Sequence, residues 1–133
     1  MSTSAAGRAW TSSALPGVTL IQAELGGHRF PPHIHRQYVV GVSECGRHRA
    51  WRRGEEVLLS PAHVSVVAPE EVHAAEALPG EAWSWRSFHL EPEMIAGVVA
   101  PRGGGLPATR PVREHARLAG TLLAAHRALD EGG

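Results

Sequence analysis

The sequence contains no lysine and no asparagine, and its only cysteine is Cys45. All thirteen basic residues are therefore arginine, and thirteen acidic residues bring the formal net charge to zero. Neutrality excludes a domain-wide basic footprint of the kind that holds nucleic acid by counterion release. It leaves room only for a local cluster such as Arg47, Arg49, Arg52 and Arg53. A lone cysteine excludes both an intrachain disulfide framework and a CxxC zinc site. Cys45 precedes a glycine turn and has no paired base in sequence, which predicts a buried structural thiol rather than a nucleophile. No apolar run approaches the roughly 20 residues that span a bilayer. The first seventeen residues lack the apolar core of a secretory signal. A cytoplasmic location without membrane contact is the expectation.

What remains is an ordinary globular composition, 43% hydrophobic over 133 residues, enough for one domain with a real core. Residues 1–14 are rich in Ser and Ala without periodicity and read as a flexible arm. Short apolar runs then alternate with turn signals: 18–25, 36–44, 47–51, 55–59, 64–68, 72–78 and 83–90. Near-regular spacing of such runs predicts an all-β sandwich or barrel rather than βαβ units. A short helix is expected over 93–99 behind Pro92, and the three glycines at 103–105 read as a linker. Thr109 is placed as an N-cap and Pro111 near the start of a helix running to about residue 130. Val112, Ala116, Ala119, Leu122, Leu123, His126 and Leu129 form its apolar stripe.

Nine histidines are the compositional oddity. His33 and His35 stand two apart, so on a strand they share one face. Two such imidazoles chelate a metal, bind a polar ligand inside a barrel, or merely sit on a strand edge. Gly27, five residues, then His33-x-His35 resembles the first motif of the cupin superfamily. Gly54 to Pro61, followed by Pro69-Glu70-Glu71-Val72-His73, is similar to the second. In the metal-binding cupins a Glu follows the second His after three or four residues; here those positions hold Val39 and Val40. Within that superfamily, His33 to Val42, Pro69 to His73 and Trp83 to Pro92 resemble the effector-binding domain of AraC-type transcriptional regulators.

The resemblance implies a jelly-roll-like cupin β-barrel followed by one or two C-terminal α-helices. The arm would then cover 1–14, the barrel with its short helix 15–100, and linker plus dimerisation helix 101–133. His73 falls where the second motif supplies a third imidazole. His33, His35 and His73 are thus the candidate ligands of one divalent metal, zinc, nickel or copper. The absent Glu disfavours an iron site of two histidines and one carboxylate.

Parity extends the candidate pocket. If His33 and His35 point inward, Gln37, Val39, Gly41 and Ser43 follow, and Tyr38 is retained in case a bulge reverses the strand. Trp83, Trp85, Ser87 and His89 share one face of a later strand and read as a pocket wall. His33, His35, Gln37, Tyr38, His73, Trp83, Trp85 and His89 are therefore the expected ligand-binding set. Arg86 is a candidate partner for an anionic ligand or a solvated strand arginine. The Arg47–Arg53 cluster reads as a solvated hairpin face.

The expected function is binding of a small-molecule effector and homodimerisation through Val112, Ala116, Ala119, Leu122, Leu123 and Leu129. Replacing Leu122 and Leu123 with Glu would then give a folded monomer. Relatives of this kind continue into paired helix-turn-helix units, so no DNA binding is expected of this chain alone, and no catalysis. The alternatives are a small metal-dependent cupin enzyme, an oxygenase or isomerase, and a cupin that only carries metal.

Overall fold

The computed structural model describes residues 6–105 and 113–129. Ten strands and two α-helices follow in the order β1 Ala6–Ser12, β2 Leu15–Glu24, β3 Arg29–His33, β4 Tyr38–Cys45, β5 His48–Arg52, β6 Glu55–Leu59, β7 His63–Val67, β8 His73–Ala77, β9 Ser84–Leu90, α1 Pro92–Val99, β10 Arg113–Glu114 and α2 Ala116–Ala128. They form two antiparallel sheets. One has six strands in the order β1-β2-β9-β4-β7-β10, the other four in the order β3-β8-β5-β6. Non-sequential neighbours such as β2-β9-β4 carry the chain between the two sheets, as a jelly roll does.

Period-two alternation assigns each strand of the larger sheet an inner and an outer face. On β2, Val18 and Leu20 pack outward with Phe88 of β9, and Trp10, Met94, Leu122 and Leu129 close over them. On β4, Val42 joins Val64 and Ala119 on the same outer face, with Val40 and Leu123 against them. The inner faces of both sheets meet in a third cluster, where Ala23, Leu25 and Trp83 pack with Phe30, Ala75 and Trp85. The helices therefore cover one face of the larger sheet, while its other face looks across at the smaller sheet.

Three expectations are corrected here. The arm placed over 1–14 is, from Ala6 to Ser12, an edge strand fully paired with β2. Trp10 secures it by donating its indole N–H to the Leu129 carbonyl at 2.8 Å. No periodicity was visible because an edge strand with mostly exposed side chains has little apolar alternation to display. The last helix starts at Ala116, because Arg113 and Glu114 instead extend the edge of β7 as β10. His115 caps it: its Nδ1 accepts the Leu118 amide at 3.0 Å. The proposed cap Thr109, with Pro111 and Val112, lies outside the described residues. Cys45, finally, is exposed rather than buried.

The apolar stripe of α2 lies against the chain's own barrel. Ala119 is buried, Leu122 and Leu123 are half-buried in the outer clusters, Leu129 packs beside Val18, and Ala116 is exposed. Replacing Leu122 and Leu123 with Glu should consequently destabilise the fold rather than yield an intact monomer. Losing the packing of two leucines costs roughly 2–5 kcal/mol, and urea unfolding of the double variant measures it.

Candidate ligand and metal site

The space between the sheets is a cavity of about 310 Å³, within the range of small-molecule pockets. It has two chemically distinct ends, set by the strands that run along it. On β9, Trp85, Ser87 and His89 all face inward; on β5, His48, Ala50 and Arg52 do so; on β8, His73 and Ala75.

One end gathers imidazoles. A nitrogen from each of His33, His35 and His73 lies within 4.8 Å of the other two. The ring centroids stand 4.9 Å apart for His33 and His35, 4.2 Å for His33 and His73, and 5.1 Å for His35 and His73. The strands explain the convergence: His33 at the end of β3 pairs directly with His73 at the start of β8. His33 Nδ1 lies 2.7 Å from the Pro31 carbonyl and His73 Nδ1 3.0 Å from the Glu71 carbonyl. A carbonyl only accepts, so both Nδ1 atoms carry the proton and both Nε2 lone pairs are left for a ligand. Fixing a tautomer through the second ring nitrogen is how proteins orient metal-binding histidines. The donor set therefore fits a divalent cation such as zinc, nickel or copper. His89 adds a fourth imidazole, 5.3 Å from the His35 ring.

Burial favours the neutral form of His35, His73 and His89. It pushes His73 down to about 4, against the opposing bond to the Glu71 carbonyl, and the charges of His33, His35 and Arg52 add to it. His89 falls to about 4 by burial, then by the charges of His35 and His73. His35 is lowered by burial and by His33. Neutral imidazole is the form that ligates a metal.

The other end is aromatic. His48 stacks on Trp83 with centroids 4.1 Å apart and planes 12° from parallel, and Trp85 stands edge-on to both. Trp83 donates its indole N–H to the Ser43 hydroxyl at 3.2 Å. A Cβ on Gly41 would overlap the benzo ring of Trp85, so glycine at that position is what lets the indole lie across β4.

Of the expected ligand-binding residues, His33, His35, His73, Trp83, Trp85 and His89 line the cavity. Gln37 and Tyr38 do not. Gln37 precedes β4 and donates to the exposed Glu91 carboxylate at 2.8 Å. Tyr38 begins β4, is buried opposite Leu90, and has the parity of the outer face. No bulge intervenes between Tyr38 and Ser43 to turn it inward; the register shift comes later, between Ser43 and Cys45. Val39 lines the cavity and Val40 packs beneath α2, so neither motif position brings a carboxylate to the triad.

Arg86 is neither solvated nor in the cavity. It lies on the outer face, with Nε 2.8 Å from Glu44 and Nη1 donating to His126 Nδ1 at 3.0 Å. Among the lining residues that escaped the sequence reading, His48 and Arg52 carry the most chemistry. They sit in the arginine-rich hairpin read as a solvated face, and only their two-residue spacing on β5 sets them inward.

The fold is that of a cupin. Solved cupins agree on the fold: KdgF from a Halomonas species (TM-score 0.54, 21% identity, 64% of this chain and 77% of that one), a cupin superfamily protein from Desulfitobacterium hafniense (0.56, 14%, 68% and 82%) and the Cnp3 cupin domain of Schizosaccharomyces pombe (0.60, 12%, 78% and 74%). The family model of the AraC-like ligand binding domain matches residues 15–133, and the chain belongs to that family. A curated relative, the HTH-type transcriptional regulator YbfI of Bacillus subtilis, is 25% identical over 71 residues, 53% of this chain. The match spans 26% of that relative's length. Among the described residues no helix is long and apolar enough to cross a membrane.

Proposed function

We propose that the chain is the effector-sensing domain of a transcription regulator, holding a small molecule between its two sheets. The observation that carries this is the cavity itself, polar with imidazoles at one end and walled by indoles at the other. Strand β9 faces the cavity with Trp85, Ser87 and His89, and faces α2 with Arg86 and Phe88. A ligand that shifts β9 therefore changes the seat of α2, and differential binding of the two seatings is what switching requires. His33, His35 and His73 hold one divalent metal in this reading, and metal or imidazoles fix the polar end of the effector.

Native mass spectrometry with elemental analysis is the test of the metal. One zinc, nickel or copper per chain is expected. His33→Ala should remove it and leave the circular dichroism spectrum unchanged. A metal-free protein that takes up none of these ions on addition would contradict this part.

Homodimerisation through α2 belongs to the same proposal. With Leu122, Leu123 and Leu129 packed on the barrel, the contact falls to its outer surface, where Leu118 is 41% exposed. Sedimentation should find a dimer that Leu118→Glu dissociates; a monomer at every concentration would remove dimerisation while leaving the sensing role.

The second reading, a metal-dependent cupin enzyme, draws on the ordered Nε2 lone pairs of His33 and His73, which leave a bound metal with an open position. Against it stand Val39 and Val40 where the motif carboxylate belongs. No turnover is expected; metal-dependent oxygen consumption or sugar isomerisation by the purified protein would put this reading first.

A further inference from the structure

We infer that Ser87 is the residue by which an occupant of the cavity is both recognised and reported to α2. Its hydroxyl takes an uncharged oxygen midway along the effector, and its own carbonyl holds His126. This rests on the reading of the cavity as an effector site and names a contact inside it.

The first observation is a buried polar group turned to the cavity. Ser87 lines the cavity and is 1% exposed, yet among the described residues its hydroxyl has no hydrogen-bond partner. The other serine of the wall, Ser65, already accepts from the Arg52 guanidinium at 2.6 Å. A hydroxyl buried without a partner is costly, and a ligand oxygen beside it relieves that cost.

Position defines what meets this hydroxyl. Ser87 stands two residues from Trp85 and two from His89, about 7 Å from each along β9. It therefore falls between the aromatic end and the imidazole end. Its ladder partners are Ile21 on β2 and Gly41 on β4, neither with a polar side chain. The smaller sheet repeats the pattern, with the Ala50–Ala75 rung between His48–Ala77 and Arg52–His73. An ionised group would be stranded among these residues. A carbonyl or ether oxygen on an apolar body accepts from the hydroxyl and needs no counter-charge.

The second observation lies on the other side of the same residue. The Ser87 carbonyl accepts from His126 Nε2 at 3.0 Å, and His126 is fully buried on α2. Arg86, one residue earlier, donates to Nδ1 of that ring at 3.0 Å. A shift of Ser87 toward a bound oxygen therefore moves an acceptor that seats α2. One residue joins the two faces of the sheet.

The test is an NMR titration of the isotope-labelled protein with acetophenone and with ethylbenzene, its counterpart without the oxygen. Acetophenone should bind and move the amide signals of α2 around His126. In Ser87→Ala its Kd should rise about fivefold, the weight of one average hydrogen bond, and the α2 signals should stay still at saturation. Ser87→Thr, which keeps the hydroxyl, should restore both effects. Ethylbenzene should bind the unaltered protein and Ser87→Ala within about twofold of each other, or neither. Should Ser87→Ala not fold, Ser87→Cys takes its place. Unchanged acetophenone affinity in the variant, or a loss that ethylbenzene shares, would overturn the contact. Signals of α2 that move equally in the variant would overturn the reporting role. Should acetophenone not bind at all, this inference falls. The effector reading falls with it only if benzoate, benzyl alcohol and glucose also leave the cavity signals unmoved.

Discussion

Lowering the pH from 7 to 4 is expected to cost the folded protein about 3 kcal/mol through His48 alone. The ring is 3% exposed, stacked on Trp83 and met edge-on by Trp85. Burial is the main cause that pushes it down to about 3, and the positive charge of Arg52 on its own strand and of His63 on β7 adds to this. Ser43 of β4, with its hydroxyl 3.5 Å from Nδ1, is the polar group facing it from that strand. An unfolded histidine titrates near 6.5, so between 6.5 and about 3 the unfolded chain binds the extra proton. Stability from this group is complete above 6.5 and drains as the pH falls toward 3. Urea unfolding at pH 7 and pH 4 should give a difference smaller by about 3 kcal/mol in His48→Gln. Equal differences in the two proteins would mean the imidazole is not held neutral by its surroundings.

The second large effect lies on the outer face of the larger sheet, beneath α2. Burial pushes the Glu44 carboxyl up, but hydrogen bonds from Ser84, Arg86, Gln22 and Arg127 outweigh it and hold it at about 2. His126 is fully buried on α2; it accepts from Arg86 at Nδ1 and donates from Nε2 to the Ser87 carbonyl at 3.0 Å. Arg86→Met would leave the Glu44 carboxylate and the His126 nitrogen without their shared donor. Removing one partner of a buried ion pair costs about 3–5 kcal/mol. Arg127, which also reaches Glu44 but is 54% exposed, should cost under about 1 kcal/mol on replacement by Ala. Denaturant unfolding of the two variants separates the cases. Equal, small losses would mean that this network does not hold α2 to the barrel.

The sequence made the strands legible because most alternate cleanly between a cavity face and a helix-covered face. β9 illustrates it: Trp85, Ser87 and His89 enter the cavity, while Arg86 and Phe88 meet α2. The histidine triad was legible from His33-x-His35 and the motif holding His73. Tyr38 already had the parity of the outer face, and keeping it in the pocket required a bulge that β4 does not have before Ser43. β1 was illegible, since its pairing with β2 is a backbone affair that exposed side chains do not announce. Arg52 was hidden for a different reason. Composition treats four clustered arginines alike, whereas register sends Arg49 outward to Glu56 and Glu76 and Arg52 inward beside His73. The apolar stripe of α2 was read correctly as apolar, but sequence alone does not say whether such a stripe meets a partner or its own barrel.

The central claim is that the space between the sheets binds a small molecule, and a thermal-shift screen of a broad metabolite library tests it most directly. Hits should raise the melting temperature, quench tryptophan emission saturably, and lose both effects in His73→Ala and in Gly41→Ala, whose new Cβ displaces Trp85 from the cavity. A library that yields no stabilising compound, or hits that stabilise folded His73→Ala and Gly41→Ala equally well, would contradict the claim.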